Sequence, residues 1–398
     1  MKNFKKAVAL LLVAVIFATM PACTSDNSGT QTTGTDNNVA TTTGTGQNEK
    51  ENTDMPTTDQ TQAREKGYVI VSDYVQPNTG EDVSDELQKI IDDNPRKTIY
   101  FPDGEYLISK PISTSGNHEL VVSLELSNFA IIKAMRAKWR STQCMIRLGG
   151  KNPEFIIHEN GTNNYISGGI IDGSNIAKGL SIEGAREYSV RYMSIKHVTQ
   201  GIYVKYNKEY GSNDSDIMNV NIYGAGTKDS IGVLVEGFDN TFTNMRVANF
   251  QTGFKLVGAG NFMRNIHPLF IYGDAIDYTQ SIGFDDMGGA NWYDICYPDN
   301  FAVGFRLQSG TTSNYNNCYC YWYSSNGGVE IGFQAVGKFN AILTNCRVDF
   351  RSDTKNAYLK VGESGGGGLV QNPIFNTDLC PDENDYKDYL SGRVVWAK

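Results

Sequence analysis

The chain has 398 residues and a formal net charge of −9, from 44 acidic and 35 basic residues. This balance argues against nucleic acid as a partner, because nucleic-acid binding needs a basic surface. Glycine (41 residues) and tyrosine (22 residues) are abundant. Long helical stretches rich in Ala, Leu, Glu and Lys are missing, which is typical of an all-β protein with many turns.

The N-terminal residues have the features of an export signal. Three lysines precede an apolar run at 7–19, which is too short for a permanent membrane span. The following MPACTS resembles a bacterial lipobox, in which Cys23 would carry the lipid. We therefore predict a lipoprotein signal peptide over 1–22 and a protein that is exported and lipid-anchored to the outer face of a bacterial cell membrane. Ordinary signal-peptidase cleavage after Ala22 is the alternative.

Residues 23–66 are rich in Thr, Asn and Gly. From residue 24 onward this segment contains no Leu, Ile, Phe, Tyr or Trp. It cannot bury a core, so we predict that it is disordered. A flexible linker of this length reaches roughly 35 Å on average, which would hold a folded domain clear of a membrane.

The folded domain is predicted over 67–398 and begins with a short helix. Ser84 is a candidate N-cap, and Leu87, Ile90 and Ile91 form one apolar helix face. A strand TIYF, a turn PDG and a strand EYLI follow. At the other end, the tail from Pro381 is acidic and then apolar, so we expect it to pack over the last coil as a cap.

The helix followed by TIYFPDGEYLI resembles the N-terminus of the pectate-lyase-like superfamily, in the branch with rhamnogalacturonase-like and phage tailspike-like proteins. GGIIDGSN (168–175) is similar to an early coil of that family. The resemblance covers roughly 67–370. It implies a right-handed parallel β-helix with an N-terminal capping helix and a polysaccharide as partner. It also makes a homotrimer conceivable, and it does not specify the activity.

A sequence repeat can be identified independently of the family resemblance. A glycine followed by alternating apolar residues recurs over 153 residues in six intervals, about 25 residues each. Short β segments repeating at this length predict a solenoid, here a single-stranded right-handed parallel β-helix. A propeller blade, with four strands in about 40 residues, does not fit. The repeated glycines are Gly179, Gly201, Gly232, Gly253, Gly283, Gly304 and Gly332.

A second strand lies between successive glycines, and its alternation predicts two inward columns. Cysteines share the first column with methionines, so we interpret them as small buried core residues. A disulfide across neighbouring coils is the alternative. The columns are Met193, Met218, Met245, His267, Cys296, Cys318 and Cys346, and Ile195, Val220, Val247, Leu269, Pro298, Cys320 and Val348.

The complementary residues of these strands are predicted to face solvent. Adjacent coils are about 4.8 Å apart. Asp299 and Asp349, two coils apart, would therefore lie on the order of 10 Å apart, near the wide limit for an inverting glycosidase. The predicted outward columns are Ser194, Asn219, Arg246, Pro268, Tyr297, Tyr319 and Arg347, and Lys196, Asn221, Ala248, Phe270, Asp299, Tyr321 and Asp349.

The C-terminal part of this surface is the predicted glycan groove. Tyrosine rings are flat amphipathic platforms that suit sugar rings. We predict Tyr297, Tyr319, Tyr321 and Arg347 as substrate-binding residues beside the two catalytic carboxylates. Asp and Tyr are also common in the solvated columns of a β-helix, so a purely structural surface is the alternative.

His267 is the position most sensitive to strand register. The preferred alignment places it in the core. A shift by one residue would turn Ile266, Pro268 and Phe270 inward. His267 would then join the groove as a candidate catalytic residue beside Asp274 and Asp277.

GFDD (283–286) is a second acidic candidate. Asp285 and Asp286 resemble the catalytic Asp-Asp pair of polygalacturonases, and one of them could hold a proton because paired carboxylates resist double ionisation. The sequence contains no Gly-His-Gly, and no Arg-x-Lys follows the pair. A turn after a strand is the alternative interpretation.

We predict a surface-anchored protein that hydrolyses a glycan polymer, with no cofactor or metal. Two alternatives remain open. A polysaccharide lyase would need Ca²⁺ against a uronate and a base, and Asp299, Asp349 and Arg347 could serve. A non-catalytic polysaccharide-binding adhesin could use the same scaffold, because fold does not fix function.

Overall fold

The protein is described from a computed structural model. The structure describes residues 58–153, 163–184, 186–206, 212–273, 275–308, 310–323, 330–350, 356–379 and 384–394. The predicted signal peptide, Cys23 and most of the predicted linker lie outside these residues. Within them, no helix has both the length and the apolar character needed to cross a membrane.

The described chain winds as a right-handed parallel β-helix, which confirms the predicted fold class. Each coil contributes strands to three faces in chain order. The first face contains β1 (Val69–Ile70), β2 (Thr98–Phe101), β5 (Ser123–Leu126), β8 (Tyr165–Ser167), β11 (Ser189–Arg191), β14 (Asp216–Met218), β21 (Trp292–Asp294), β23 (Asn314–Asn316), β26 (Ile342–Thr344), β29 (Leu369–Gln371) and β30 (Leu390–Ser391). The second face contains β3 (Gly104–Ile108), β6 (Ala130–Ala134), β9 (Ile170–Asp172), β12 (Ser194–Val198), β15 (Asn221–Gly224), β24 (Tyr319–Tyr321) and β27 (Arg347–Asp349).

Two longer strands turn the corner between the first and second faces, and a separate sheet forms the third face. The corner strands are β17 (Thr241–Ala248) and β19 (Phe262–Leu269). The third face contains β4 (Ile112–Ser115), β7 (Cys144–Lys151), β10 (Lys178–Glu183), β13 (Gln200–Lys205), β16 (Ile231–Val235), β18 (Thr252–Leu256), β20 (Ile282–Asp286), β22 (Val303–Leu307), β25 (Ile331–Ala335) and β28 (Ala357–Val361).

The repeated glycines lie on the third face, where each stacks against the next coil. A Cβ on Gly232 would come within 2.3 Å of the Val247 side chain and 2.6 Å of the Gly253 carbonyl oxygen. Such contacts are closer than real Cβ atoms allow, so this close packing requires glycine. The glycine repeat in the sequence therefore reflects the close packing of successive coils on the third face.

Helix α1 (Thr58–Glu65) begins inside the segment predicted to be disordered. Its Ala63 is buried against Ile70 and Tyr100, and its Arg64 forms an ion pair with Asp73. The linker prediction, which extended to residue 66, is wrong over this helix. The reason is that one small apolar residue and one ion pair hold the helix to the domain, which a search for large apolar residues does not detect.

Helix α2 (Ser84–Asp93) is the predicted capping helix, with Leu87, Ile90 and Ile91 buried. Ser84 is its first helical residue, so the prediction that Ser84 is the N-cap is wrong. The Ser84 hydroxyl instead donates to Asp82 and accepts from the backbone N–H of Ser109 at 2.8 Å. It therefore fixes the helix to the end of β3.

In coil after coil, a residue with a left-handed backbone conformation (positive φ) lies at the corner between the first and second faces. Asparagine tolerates this conformation better than most residues. The prediction that Met218 points inward and Asn219 outward is wrong, because Asn219 is the corner residue (φ 54°) and the alternation restarts after it, with Ile217 and Val220 buried. The asparagines of this corner column are Asn219, Asn244, Asn265, Asn317, Asn345 and Asn372.

The cysteines fill the core as predicted. Cys296, Cys318, Cys320 and Cys346 are fully buried free thiols. The Cys318 Sγ lies 3.6 Å from the Tyr293 carbonyl oxygen, as a weak donor. Burial raises the pKa of the Cys318 thiol well above its ordinary value, so the thiol stays protonated and unreactive.

The C-terminal residues cover the last coil, as expected of a cap. The 3-10 helix Asp385–Tyr389 buries Tyr386 against Phe375 and Tyr358. The strand β30 then pairs with β29. Ordered strands and aromatic packing therefore continue to the end of the described chain.

Candidate functional site

His267 faces outward on the second face, so the preferred alignment of its strand is wrong by one residue. In β19 the buried residues are Ile266 and Pro268, and His267 is half-buried between them. Pro268 occupies the core position opposite Gly253, whose Cβ would come within 2.6 Å of it. The alternative register is therefore confirmed. Phe270 is also buried, under the loop that follows the strand.

The corrected register brings the predicted site residues into two adjacent columns. His267, Tyr297, Tyr319 and Arg347 follow one another along the first column on successive coils. In the second column, backbone bridges connect Leu269 to Asp299, Asp299 to Tyr321 and Tyr321 to Asp349. We call the two columns without Leu269 the second-face site. Its seven residues are His267, Tyr297, Tyr319, Arg347, Asp299, Tyr321 and Asp349.

Three aromatic rings stack along the second-face site. The rings of His267 and Tyr297 are 4.3 Å apart and nearly parallel, at 11°. The rings of Tyr297 and Tyr319 are 4.9 Å apart at 14°, and the Arg347 guanidinium lies 5.2 Å from the Tyr319 centroid. The parallel strands impose this ladder because equivalent side chains on successive coils are one strand spacing apart.

Asp349 is held by two donors of the second-face site. Its Oδ2 accepts from the Tyr319 hydroxyl at 3.0 Å and from the Arg347 guanidinium at 3.1 Å. Burial and the adjacent Asp349 carboxylate raise the pKa of Tyr319. The phenol therefore remains a neutral hydrogen-bond donor over the whole working pH range.

Asp299 is the less satisfied of the two carboxylates. Its Oδ2 accepts from the Tyr297 hydroxyl at 3.5 Å and lies 3.7 Å from the His267 Nε2. Within the described part of the chain, its buried Oδ1 and the buried His267 Nε2 have no hydrogen-bond partner. Burial and the adjacent Asp299 carboxylate raise the pKa of Tyr297. Both atoms are closed off from solvent, so a buried water or a small shift of the side chains would be needed to complete them.

Aromatic and apolar residues that were not predicted as site residues border the second-face site. Phe270, Ile276 and Phe301 form a small apolar cluster with Tyr278 packed against it. The Tyr272 hydroxyl donates to the Asn300 carbonyl oxygen at 3.4 Å, directly beside Asp299. The loop after β19 is therefore fixed next to the carboxylate. The closely spaced aromatic residues of this loop are the sequence signal that could have indicated its packing beside Asp299. Of the predicted acidic neighbours, Asp277 caps a 3-10 turn by accepting from the Thr279 N–H, and Asp274 lies outside the described residues.

Asp285 lies on the third face, away from the second-face site. It is almost fully buried and accepts two hydrogen bonds from Arg306, at 2.9 and 2.7 Å. A third comes from the Gln308 amide at 3.0 Å. Every side of this carboxylate is thus occupied by groups of the protein itself.

Asp286 points into the core from the same strand. It accepts from the Tyr315 hydroxyl at 2.9 Å and from the Asn291 amide at 2.9 Å. Burial and the neighbouring Asp286 raise the pKa of Tyr315 well above its ordinary value. The structure therefore does not bring Asp285 and Asp286 together with Asp299 and Asp349, and it gives the pair structural contacts.

No cluster of three or more His, Cys, Asp or Glu side chains that could hold a metal ion is found in the described residues. The second-face site contains two carboxylates and one imidazole, and its two carboxylates are separated by the coil that carries Tyr321. The polar side chains of the second-face site form hydrogen bonds with one another.

The sequence matches no family model and no curated protein. Several solved structures share the fold. A tailspike mutant of E. coli bacteriophage HK620 in complex with a pentasaccharide is 12% identical, with a TM-score of 0.57 over 85% of this chain and 65% of that one. The catalytic unit of a GH87 alpha-1,3-glucanase from Streptomyces thermodiastaticus is 12% identical, with a TM-score of 0.53 over 83% and 68% of the two chains.

A third similar structure is PfbA, a surface adhesin of Streptococcus pneumoniae. It is 12% identical, with a TM-score of 0.51 over 83% of this chain and 93% of that one. At this level of identity the similarities establish a common fold, and the chain is a right-handed parallel β-helix protein. They do not identify which member of that class it is, because one fold supports many functions.

Proposed function

We propose that this protein is an exported, lipid-anchored enzyme that binds a polysaccharide across the second-face site and hydrolyses it. The observation that carries the proposal is the ladder of His267, Tyr297 and Tyr319 flanked by Asp299 and Asp349. It combines the edges and hydroxyls of aromatic rings with two carboxylates that lie two coils apart, on the order of 10 Å, near the wide limit for an inverting glycosidase.

The stacked rings supply binding. Their edges and hydroxyls run along several coils, so that successive sugar units of one polymer can contact successive residues. Tyr321 is tilted by 49° from Tyr319, with ring centroids 6.0 Å apart, and it lies in the second column between Asp299 and Asp349. Arg347 adds a cation that would attract hydroxyl oxygens or a uronate.

The two carboxylates have different partners, which supports different roles. Asp349 is paired with Arg347, so it suits the carboxylate that takes a proton from the attacking water. Asp299 has an oxygen that still lacks a partner among the described residues, and it suits the acid that protonates the leaving oxygen. His267, at 3.7 Å from Asp299, would position that group and exchange its proton.

The N-terminal residues complete the proposal. Cys23 would be the lipidated residue, and the chain between Cys23 and α1 would connect the β-helix to the membrane. The α1 helix, docked through Ala63, sets where that connection leaves the domain. The polysaccharide partner would therefore be met outside the cell.

The test is incubation of the purified full chain with polygalacturonate, alginate, carboxymethylated α-1,3-glucan and hyaluronan. Hydrolysis predicts new reducing ends, and proton NMR of the first products should show the inverted anomer. Absorbance of an unsaturated uronide that requires Ca²⁺ would instead support a lyase. Retention on a polymer without cleavage would support a binding adhesin and contradict the catalytic roles of Asp299 and Asp349.

A further inference from the structure

Ile295 breaks the pattern of the corner between the first and second faces. Six other positions of this corner column are asparagine and one is Tyr192 (φ 56°), whereas Ile295, at φ 55°, is β-branched. A left-handed conformation is unfavourable for such a side chain, by roughly 1–2 kcal/mol. Backbone strain of this kind is retained where the residue has another use, so the exception at Ile295 requires an explanation.

The side chain of Ile295 does not improve the core, because it is 48% exposed. Two other large exposed residues lie on the first face, on the strands that lead to this corner. Phe262 and Trp292 are 44% and 45% exposed, and their rings are 4.3 Å apart at 44°. Ile295 follows Trp292 along the chain, at the corner after Asp294. We call Phe262, Trp292 and Ile295 the corner patch.

The corner patch and the second-face site belong to the same stretch of chain. Trp292 faces outward on the first face, Ile295 occupies the corner, and Tyr297 and Asp299 face outward on the second face. These residues lie within eight positions, at most about 23 Å of extended backbone and less around a corner. Asp294 and its partner Arg264 lie between the aromatic pair and Ile295, so the surface that leads from the aromatic ladder onto the first face alternates apolar and charged side chains.

Polar groups lie within the corner patch, between its aromatic pair and Ile295. On the first face, Arg264 and Asp294 approach within 3.7 Å, and the Asn316 amide donates to Asp294 at 3.3 Å. Flat rings bordered by such donors and acceptors match the surface of a sugar, which has an apolar face and hydroxyls around its edge. A second protein copy would favour a larger apolar area with fewer charges at its centre.

We propose that the polysaccharide site does not end at the second face but turns the corner, with the corner patch as a distal subsite for the same glycan chain. This inference rests on the proposed glycan function. In this subsite the rings of Phe262 and Trp292 hold sugar units away from the carboxylates. Ile295 fills the corner with an apolar surface where asparagine would leave a polar step, and the strain at φ 55° is retained for that contact.

The test uses the full chain in affinity electrophoresis through gels that contain the four polymers named above. Trp292→Ala is expected to weaken retardation by the recognised polymer about tenfold, as for a central aromatic contact. Ile295→Asn is expected to weaken it by a smaller factor and to raise the melting temperature, since the other corner asparagines are unstrained. Ile342→Ala removes an equally exposed first-face residue outside the corner patch, and it should match the wild type.

The outcomes separate this inference from the proposed function. Loss of retardation in Tyr319→Ala but not in Trp292→Ala overturns the subsite and leaves the second-face site intact. Loss in Trp292→Ala with no cleavage by the wild type keeps the subsite and overturns hydrolysis. A wild type that no polymer retards overturns both. An oligomer in sedimentation equilibrium that Trp292→Ala dissociates assigns the corner patch to a second copy and overturns the subsite.

Discussion

Two acidic regions of this β-helix are both catalytic candidates in the sequence, and they differ in structure. On the third face, Asp285 is 2% exposed at its side chain and receives three hydrogen bonds from Arg306 and Gln308. On the second face, the Asp299 Oδ2 lies 3.5 Å from the Tyr297 hydroxyl, and its Oδ1 is a buried oxygen for which the described residues provide no partner. The first carboxylate is fully hydrogen-bonded, and the second is not.

The difference shows that a pair of carboxylates does not define a site by itself. A carboxylate whose lone pairs are occupied by the fold contributes to folding, and removal of its partner leaves a buried charge. A carboxylate beside rings, with unused hydrogen-bonding capacity, is available for binding or proton transfer. The following predictions test whether the two faces separate in this way.

The largest effect is expected from Asp349→Asn. It removes the proposed base while retaining the shape of the side chain, so kcat on the cleaved polymer should fall by about 10² to 10⁴-fold. Asp216→Asn, at an exposed first-face carboxylate, is the matched control and should keep wild-type kcat. Initial rates of reducing-end release measure both, and equal losses in the two variants would contradict the assignment of Asp349.

Arg306→Met should have the largest effect on folding. It leaves Asp285 buried without its cation, which destabilises a protein by about 3–5 kcal/mol. Arg347→Met on the second face should change stability by less than about 1 kcal/mol, because its ion pair is partly exposed. Urea unfolding of both variants is the measurement. Similar losses would mean that the two faces are equally structural.

The loss of folding stability at acid pH should depend on Glu183, a buried carboxylate of the third face. Glu183 is nearly buried and accepts hydrogen bonds from Arg147 at 3.0 and 2.9 Å. Although burial acts in the opposite direction, these bonds and the neighbouring cations lower the pKa of Glu183 from 4.5 to about 2. Because the folded-state pKa is the lower one, this contribution is complete above about pH 4.5 and is lost as the pH falls toward 2.

Glu183→Gln removes that dependence. We expect the variant to be less stable than the wild type at pH 7, by on the order of 2 kcal/mol, and the difference to shrink as the pH falls below 4. Melting temperatures measured from pH 7 to pH 3 provide the comparison. A difference that stays constant over this range would show that Glu183 is not held ionised by its partners.

The smallest effect is expected from Tyr319→Phe. The ring remains for stacking, whereas the hydroxyl that orients Asp349 is lost, so kcat should fall about fivefold with KM unchanged. Tyr203→Phe removes a comparable hydroxyl from a third-face carboxylate, Glu236 at 2.7 Å, and should leave both constants unchanged. A rise in KM for Tyr319→Phe would place the hydroxyl on the substrate instead.

The repeat made the fold predictable from sequence. Glycines such as Gly232 recur because a side chain would collide with the next coil, and this requirement is periodic. The cysteine column was predictable for the same reason, since Cys318 and Cys346 occupy equivalent core positions. Packing requirements that recur in every coil produce a repeat of residue types, which can be recognised in a single sequence.

The site was less predictable because it depends on local breaks in alternation. The left-handed corner shifts the pleat, so the alignment of the Met218 segment failed by two residues. His267 was assigned to a core position that Ile266 occupies. The partner that occupies Asp285 is Arg306, one coil later on the same face. Sequence proximity suggested an acidic pair, whereas the coil-to-coil register determines which charges meet.

The most direct measurement is the structure of Asp349→Asn crystallised with an oligosaccharide of the polymer that the wild type recognises. We predict sugar density against the ring edges and hydroxyls of Tyr297 and Tyr319, with a hydroxyl or glycosidic oxygen within hydrogen-bond distance of the Asp299 carboxylate. Density on the third face beside Asp285 and Arg306, with the aromatic ladder empty, would contradict it.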